Sequence, residues 1–110
     1  MKKLTVILLS VATLMSHTAF AKAEVAELPI MDNVRVFYQD KSALPYVTNF
    51  YTKHTEAQII DFYRTHLGEV ANQETKRGRL TLTFAKSNFH YRVIISQQNN
   101  MRQVDLIVQQ

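Results

Sequence analysis

Apolar side chains recur at three- and four-residue spacing in one stretch of this chain and at two-residue spacing in several others. The first pattern covers residues 55–67. There Ile59, Phe62, Tyr63, His66 and Leu67 share one face, while Glu56, Gln58, Asp61, Arg64 and Thr65 share the other. Thr55 is a good N-cap, and Gln58 can bond back to the Thr55 amide to close a capping box. Gly68 supplies the positive φ that stops such a helix. One helix is predicted, over 55–67.

The two-residue pattern dominates the last third, where residues 79–85, 90–97 and 102–109 alternate between short polar breaks. Take Ser87-Asn88 and Asn99-Asn100 as two-residue turns, since asparagine tolerates positive φ. The first hairpin then pairs Leu80 with Ile95, Leu82 with Val93 and Phe84 with Tyr91. The second pairs Ile95 with Val104, Val93 with Leu106 and Tyr91 with Val108. Each register is set by its own turn, yet both send the same side chains of the middle strand inward. A one-residue slip would invert a strand, so the agreement predicts a three-stranded antiparallel meander. Its opposite face holds Arg79, Thr81, Thr83, Arg92, Ile94, Ser96, Gln103, Asp105 and Ile107. That face is mostly polar, with Ile94 and Ile107 as apolar exceptions.

Two strands precede the helix. Residues 34–38 are β-branched and aromatic, and residues 46–53 follow Pro45, which suits a strand's first position. Tyr46 and Phe50 fall on one side of the second strand and Tyr51 on the other, so alternation does not choose its inward face. Residues 69–78 (EVANQETKRG) are polar and read as a surface loop. The expected fold is α+β, a single small domain in the order ββαβββ. Its helix packs on a mainly antiparallel sheet that ends in the meander. The connection through the helix is long enough for a crossover, which would make the second and third strands parallel neighbours.

The N-terminus carries a different signature. Lys2 and Lys3 precede an uncharged, mostly apolar run over 4–15, and Ala19-Phe20-Ala21 offers small residues for cleavage. Residues 1–21 are therefore expected to be a cleavable secretory signal peptide, with Ala21-Lys22-Ala23 as an overlapping site. The run is too short to span a bilayer comfortably, so no membrane span is expected after cleavage. Residues 22–110 form the domain, with 22–29 as a flexible lead-in or a loose turn of helix ended by Pro29. The expected location is periplasmic or secreted.

Cleavage after Ala21 removes 21 of 110 residues and leaves 89, enough for one shared core. No cysteine is available to add a disulfide. The formal charge of +4 falls to +2 without Lys2 and Lys3, leaving 11 basic against 9 acidic residues. A nearly neutral exported protein is not expected to bind nucleic acid.

The residues also narrow the chemistry. His54, His66 and His90 show no metal-ligand spacing, and His66 in the last helical turn suits the helix dipole. Ser42, Ser87 and Ser96 lie in no nucleophile-elbow context. Gly68 and Gly78 build no phosphate-cradling loop. No catalytic residue, metal or cofactor is expected, and a small hydrolase is the minority reading, since active sites are spatial constellations. The charged cluster Lys76-Arg77-Gly78-Arg79, with Lys86 and Arg92 near it, reads first as a solvated, charge-rich loop and otherwise as a contact for an anionic partner such as lipid headgroups, a polyanionic glycan or an acidic protein face. Tyr51 and Phe89 are candidate exposed anchors. The expected interaction surface is Lys76, Arg77, Arg79, Arg92, Ile94, Asp105 and Ile107. A non-catalytic binding or accessory protein fits these features. Its partner would be another envelope or secreted protein or a second copy, with a small ligand as a further option. An inhibitor or immunity protein that blocks a hydrolase or toxin is the alternative.

Overall fold

The computed structural model describes residues 25–110; the expected signal peptide lies outside them. Its elements are β1 (Arg35–Asp40), β2 (Tyr46–Thr52), α1 (Glu56–Leu67), β3 (Asn72–Lys76), β4 (Arg79–Lys86), β5 (Phe89–Gln98) and β6 (Met101–Gln109). All six strands join one antiparallel sheet in the order β1-β2-β6-β5-β4-β3. The fold is α+β, with one helix on one face of the sheet.

The helix starts as its sequence dictates. Thr55 Oγ1 accepts from the Gln58 amide at 3.1 Å, and Gln58 Oε1 accepts from the Thr55 amide at 2.8 Å. At the other end Gly68 takes φ of 94° and donates its amide to the Arg64 carbonyl at 3.0 Å. Lys86 Nζ donates to the His66 carbonyl at 2.7 Å and so satisfies another free acceptor of the last turn. Ile59, Tyr63 and Leu67 are buried, whereas the Phe62 and His66 rings lie tilted against each other at the helix margin, with centroids 4.2 Å apart.

The meander registers are those expected: Leu80, Leu82 and Phe84 lie opposite Ile95, Val93 and Tyr91, which in turn face Val104, Leu106 and Val108. All nine are buried. Ser87 and Asn99 take φ of 58° and 54° in the two turns. The sheet settles the inward face of β2 as well. Phe50 lies opposite Val104 and is fully buried, together with Thr48 and Thr52, while Tyr51 points to the other side. Both threonine hydroxyls are satisfied: Thr48 Oγ1 accepts from Gln39 Nε2 and Thr52 Oγ1 from the His54 amide, each at 3.0 Å.

Two expectations are corrected. Residues 72–76 are a strand, β3, rather than loop, so the order is ββαββββ. All five residues are exposed because β3 is an edge strand held by main-chain pairing to β4. Arg77 and Gly78 take φ of 54° and 76°, the two positive values that a tight hairpin turn requires. β2 is not a parallel neighbour of the strand it was expected to join. It pairs antiparallel with β6, because the chain after α1 crosses to the far edge of the sheet.

Residues 25–34 carry no helix or strand, bend at 32–33, and pack on the helix-covered side. Of the lead-in read over 22–29, the described part seats Ala26 in the core, and Met31 follows it there. Tyr63 Oη donates to the Pro29 carbonyl at 2.9 Å, Tyr91 Oη to the Glu27 carbonyl at 3.1 Å, and Lys86 pairs with Glu27 at 2.9 Å. Burial pushes both phenols up from their ordinary values, Tyr63 far up.

Candidate functional site

Among the described residues no element covers the second face of the sheet, and the strand registers arrange its side chains in three cross-strand rows. One runs Asn72, Thr83, Arg92, Ile107, Val47, Asp40 from β3 to β1. The next runs Glu74, Thr81, Ile94, Asp105, Asn49, Tyr38. The third runs Lys76, Arg79, Ser96, Gln103, Tyr51, Arg35. Residues directly opposite in antiparallel strands share a face, so each row is a line of neighbours.

The sequence-expected surface falls on this face. A shallow concavity of about 620 Å³ over β3, β4 and β5 brings together Lys76, Arg77, Arg79, Arg92 and Ile94, with Asn72, Glu74, Thr81 and Thr83. Ile107 and Asp105 sit on the adjoining strand opposite Arg92 and Ile94. The lining holds four cations and one carboxylate. Among the described residues the ion pair is Lys86 with Glu27, on the helix-covered side, so no carboxylate salt-bridges the four. Lys86 is thus not part of the cluster it was expected to join. Asp105 makes no pair with Arg92 either; its Oδ1 accepts from Asn49 Nδ2 at 2.6 Å and from Gln103 Nε2 at 2.9 Å.

The β1–β2 half of the same face is aromatic, and a bulge makes it so. The register slips between Val36 and Tyr38, which places Phe37 and Tyr38 in succession on the open side. Phe37 stacks on Tyr51 with centroids 4.5 Å apart and planes 22° apart. The Arg35 guanidinium lies 5.3 Å from the centre of the Tyr51 ring. Beside them a second concavity of about 450 Å³ is lined by Asn33, Val34, Arg35, Tyr51, Thr52, Lys53 and Met101. Phe37 and Tyr38 are 47% and 51% exposed, high values for aromatic rings on a sheet. Phe89, the other expected anchor, is 4% exposed and belongs to the core, because it opens β5 on the inward side. The exposed pair was hidden in the sequence by the bulge, which breaks simple alternation.

His54, His66 and Asp40 hold local structural contacts. His54 Nε2 lies 3.1 Å from the Asp32 carbonyl and His66 Nδ1 lies 2.9 Å from the Phe62 carbonyl. Ser42 donates its amide and hydroxyl to Asp40 Oδ1 at 3.0 and 2.7 Å, which holds that carboxyl below its ordinary value. Among the described residues no three His, Cys, Asp or Glu side chains converge as metal ligands, and no helix is long and apolar enough to cross a membrane. Comparison with protein-family models, curated proteins and solved structures returned no match to this chain.

Proposed function

We propose that this chain is a small exported, non-catalytic binding or accessory protein that contacts another envelope or secreted protein through the open face of its sheet. The observation that carries the reading is a face that no described element covers, with cations that no described carboxylate salt-bridges at one end and exposed, stacked aromatics at the other. Soluble domains rarely leave large apolar and charged groups together without a use for them, and interfaces are enriched in tyrosine, phenylalanine, methionine and arginine. The leader pattern of residues 1–21 supports export.

Ile94 tests the reading because it is half-buried at the centre of the face rather than in the core. The exported protein and its Ile94→Asp variant serve as bait in envelope extract. A stoichiometric partner retained by the first and lost by the second supports the proposal, provided the variant melts within a few degrees of the parent. A partner held equally by both removes the open face from the function. A variant that unfolds would show that Ile94 is core.

A further inference from the structure

We infer that the partner is a protein that presents an acidic patch to the β3–β5 half of the open face and an apolar side chain to the β1–β2 half. The inference rests on the proposal that the open face is the contact surface, and it names the chemistry of what sits there.

Charge decides the first half. Lys76, Arg77, Arg79 and Arg92 line one concavity against the single carboxylate of Glu74. Cations gathered without internal salt bridges repel one another, and carboxylates from outside relieve that repulsion. Arginine forks also match carboxylates with two parallel hydrogen bonds. The second half has a different character: Phe37 stacks on Tyr51, Tyr38 stands exposed, and Met101 closes the apolar hollow beside them.

The separation and shape select a protein over other anions. From β4 to β2 is three strand spacings, or roughly 14 Å, so one partner must span both halves. Six strands and about seven residues of height give a face of roughly 24 by 20 Å, in the range of a modest protein contact and beyond a small ligand. Both hollows open to solvent, whereas a site for a lipid tail or small molecule encloses most of its ligand. A polyanionic glycan would be followed by cations along its whole track. Here the salt-bridge-free cluster occupies one half, and Arg35 at the other end lies against Tyr51.

The test places a photo-crosslinking residue at Thr81, in the cationic half, and separately at Val47, in the aromatic half, in cells that export the protein. The crosslinked protein is then purified and titrated against the parent, the Arg79→Glu/Arg92→Glu variant and Tyr38→Ala. Adducts from both positions to one protein support the inference if four further results hold. The Thr81 adduct must lie in an Asp/Glu-rich segment, the charge-reversed variant must lose at least tenfold in affinity, Tyr38→Ala must lose severalfold, and parent binding must weaken as salt rises. An unchanged Tyr38→Ala overturns the apolar contact. Adducts at both positions with affinity indifferent to Arg79→Glu/Arg92→Glu overturn the acidic partner and leave the open face as the contact surface. Adducts to lipid or glycan overturn the protein partner. Silence at both positions, with adducts from a control site at Glu56 on the helix, overturns this inference and the proposed function together. Melting of each variant alongside the parent shows that loss of binding is not loss of fold.

Discussion

Replacing Tyr63 by phenylalanine should make the protein weaker at neutral pH and relatively stronger in alkali. The phenol is fully buried and donates to the Pro29 carbonyl at 2.9 Å. Loss of that bond should cost about 1 kcal/mol between pH 7 and 9. Above that range the sign reverses. A tyrosine in the unfolded chain ionises near pH 10, whereas burial raises the folded-state value well beyond it. The stability held in the protonated phenol is therefore complete below about pH 10 and drains away as pH rises further. The slope is about 1.4 kcal/mol per pH unit while the folded phenol keeps its proton, so the parent should lose about 2 kcal/mol by pH 11.5. The variant has no phenol to lose. The two stability curves should meet between about pH 10.5 and 11, where the accumulated loss equals the 1 kcal/mol of the missing bond. Tyr91, whose ionisation is also raised, is present in both proteins and cancels. Urea unfolding at a series of pH values from 8 to 11.5 would follow both curves. A constant gap across the series would refute the reasoning, since it would mean that Tyr63 ionises alike in the folded and unfolded chains.

Two local perturbations test the frame that positions the open face. Thr55→Ala removes the acceptor for the Gln58 amide and should cost about 1 kcal/mol in urea unfolding, with little change in the slope of the transition. Gly78→Ala meets no atom within 4 Å but forces a side chain into φ of 76°. It should cost about 1 kcal/mol through backbone strain, and amide exchange should quicken in β3 and β4 before any other strand. Equal quickening throughout the sheet would show instead that the turn stabilises the fold as a whole.

The parts of this fold legible in the sequence are those where burial enforces alternation. The middle strand β5 packs Tyr91, Val93 and Ile95 against neighbours on both sides, and its two turns specify one register. The helix was equally clear, because its cap and its apolar spacing agree. β3 escaped notice because an edge strand needs no apolar face: NQETK is held by its pairing with β4, and its charges discourage other strands from adding to it. Arg77-Gly78 was the available sign, a turn dipeptide directly before a strand. β2 was ambiguous because Thr48 and Thr52 occupy inward positions and Tyr51 an outward one. The cationic half of the site was visible as a run of basic residues. Of the aromatic half only Tyr51 was, since the β1 bulge turns Phe37 and Tyr38 toward the same side against the expected alternation.

The strand order has a consequence for how the chain reaches its final shape. β6 follows every other strand in sequence yet lies inside the sheet, between β2 and β5. The β1–β2 hairpin has no other strand to bond to, so it waits for residues more than fifty positions later, as Asn49 waits for Asp105. Closing a loop of 56 residues costs roughly 3.6 kcal/mol of chain entropy, which the local hairpins β3–β4 and β4–β5 do not pay. Those hairpins can form early; the two ends of the fold are joined late. A chain stopped before Met101 would carry two disconnected sheet fragments, and the open face would be split between them.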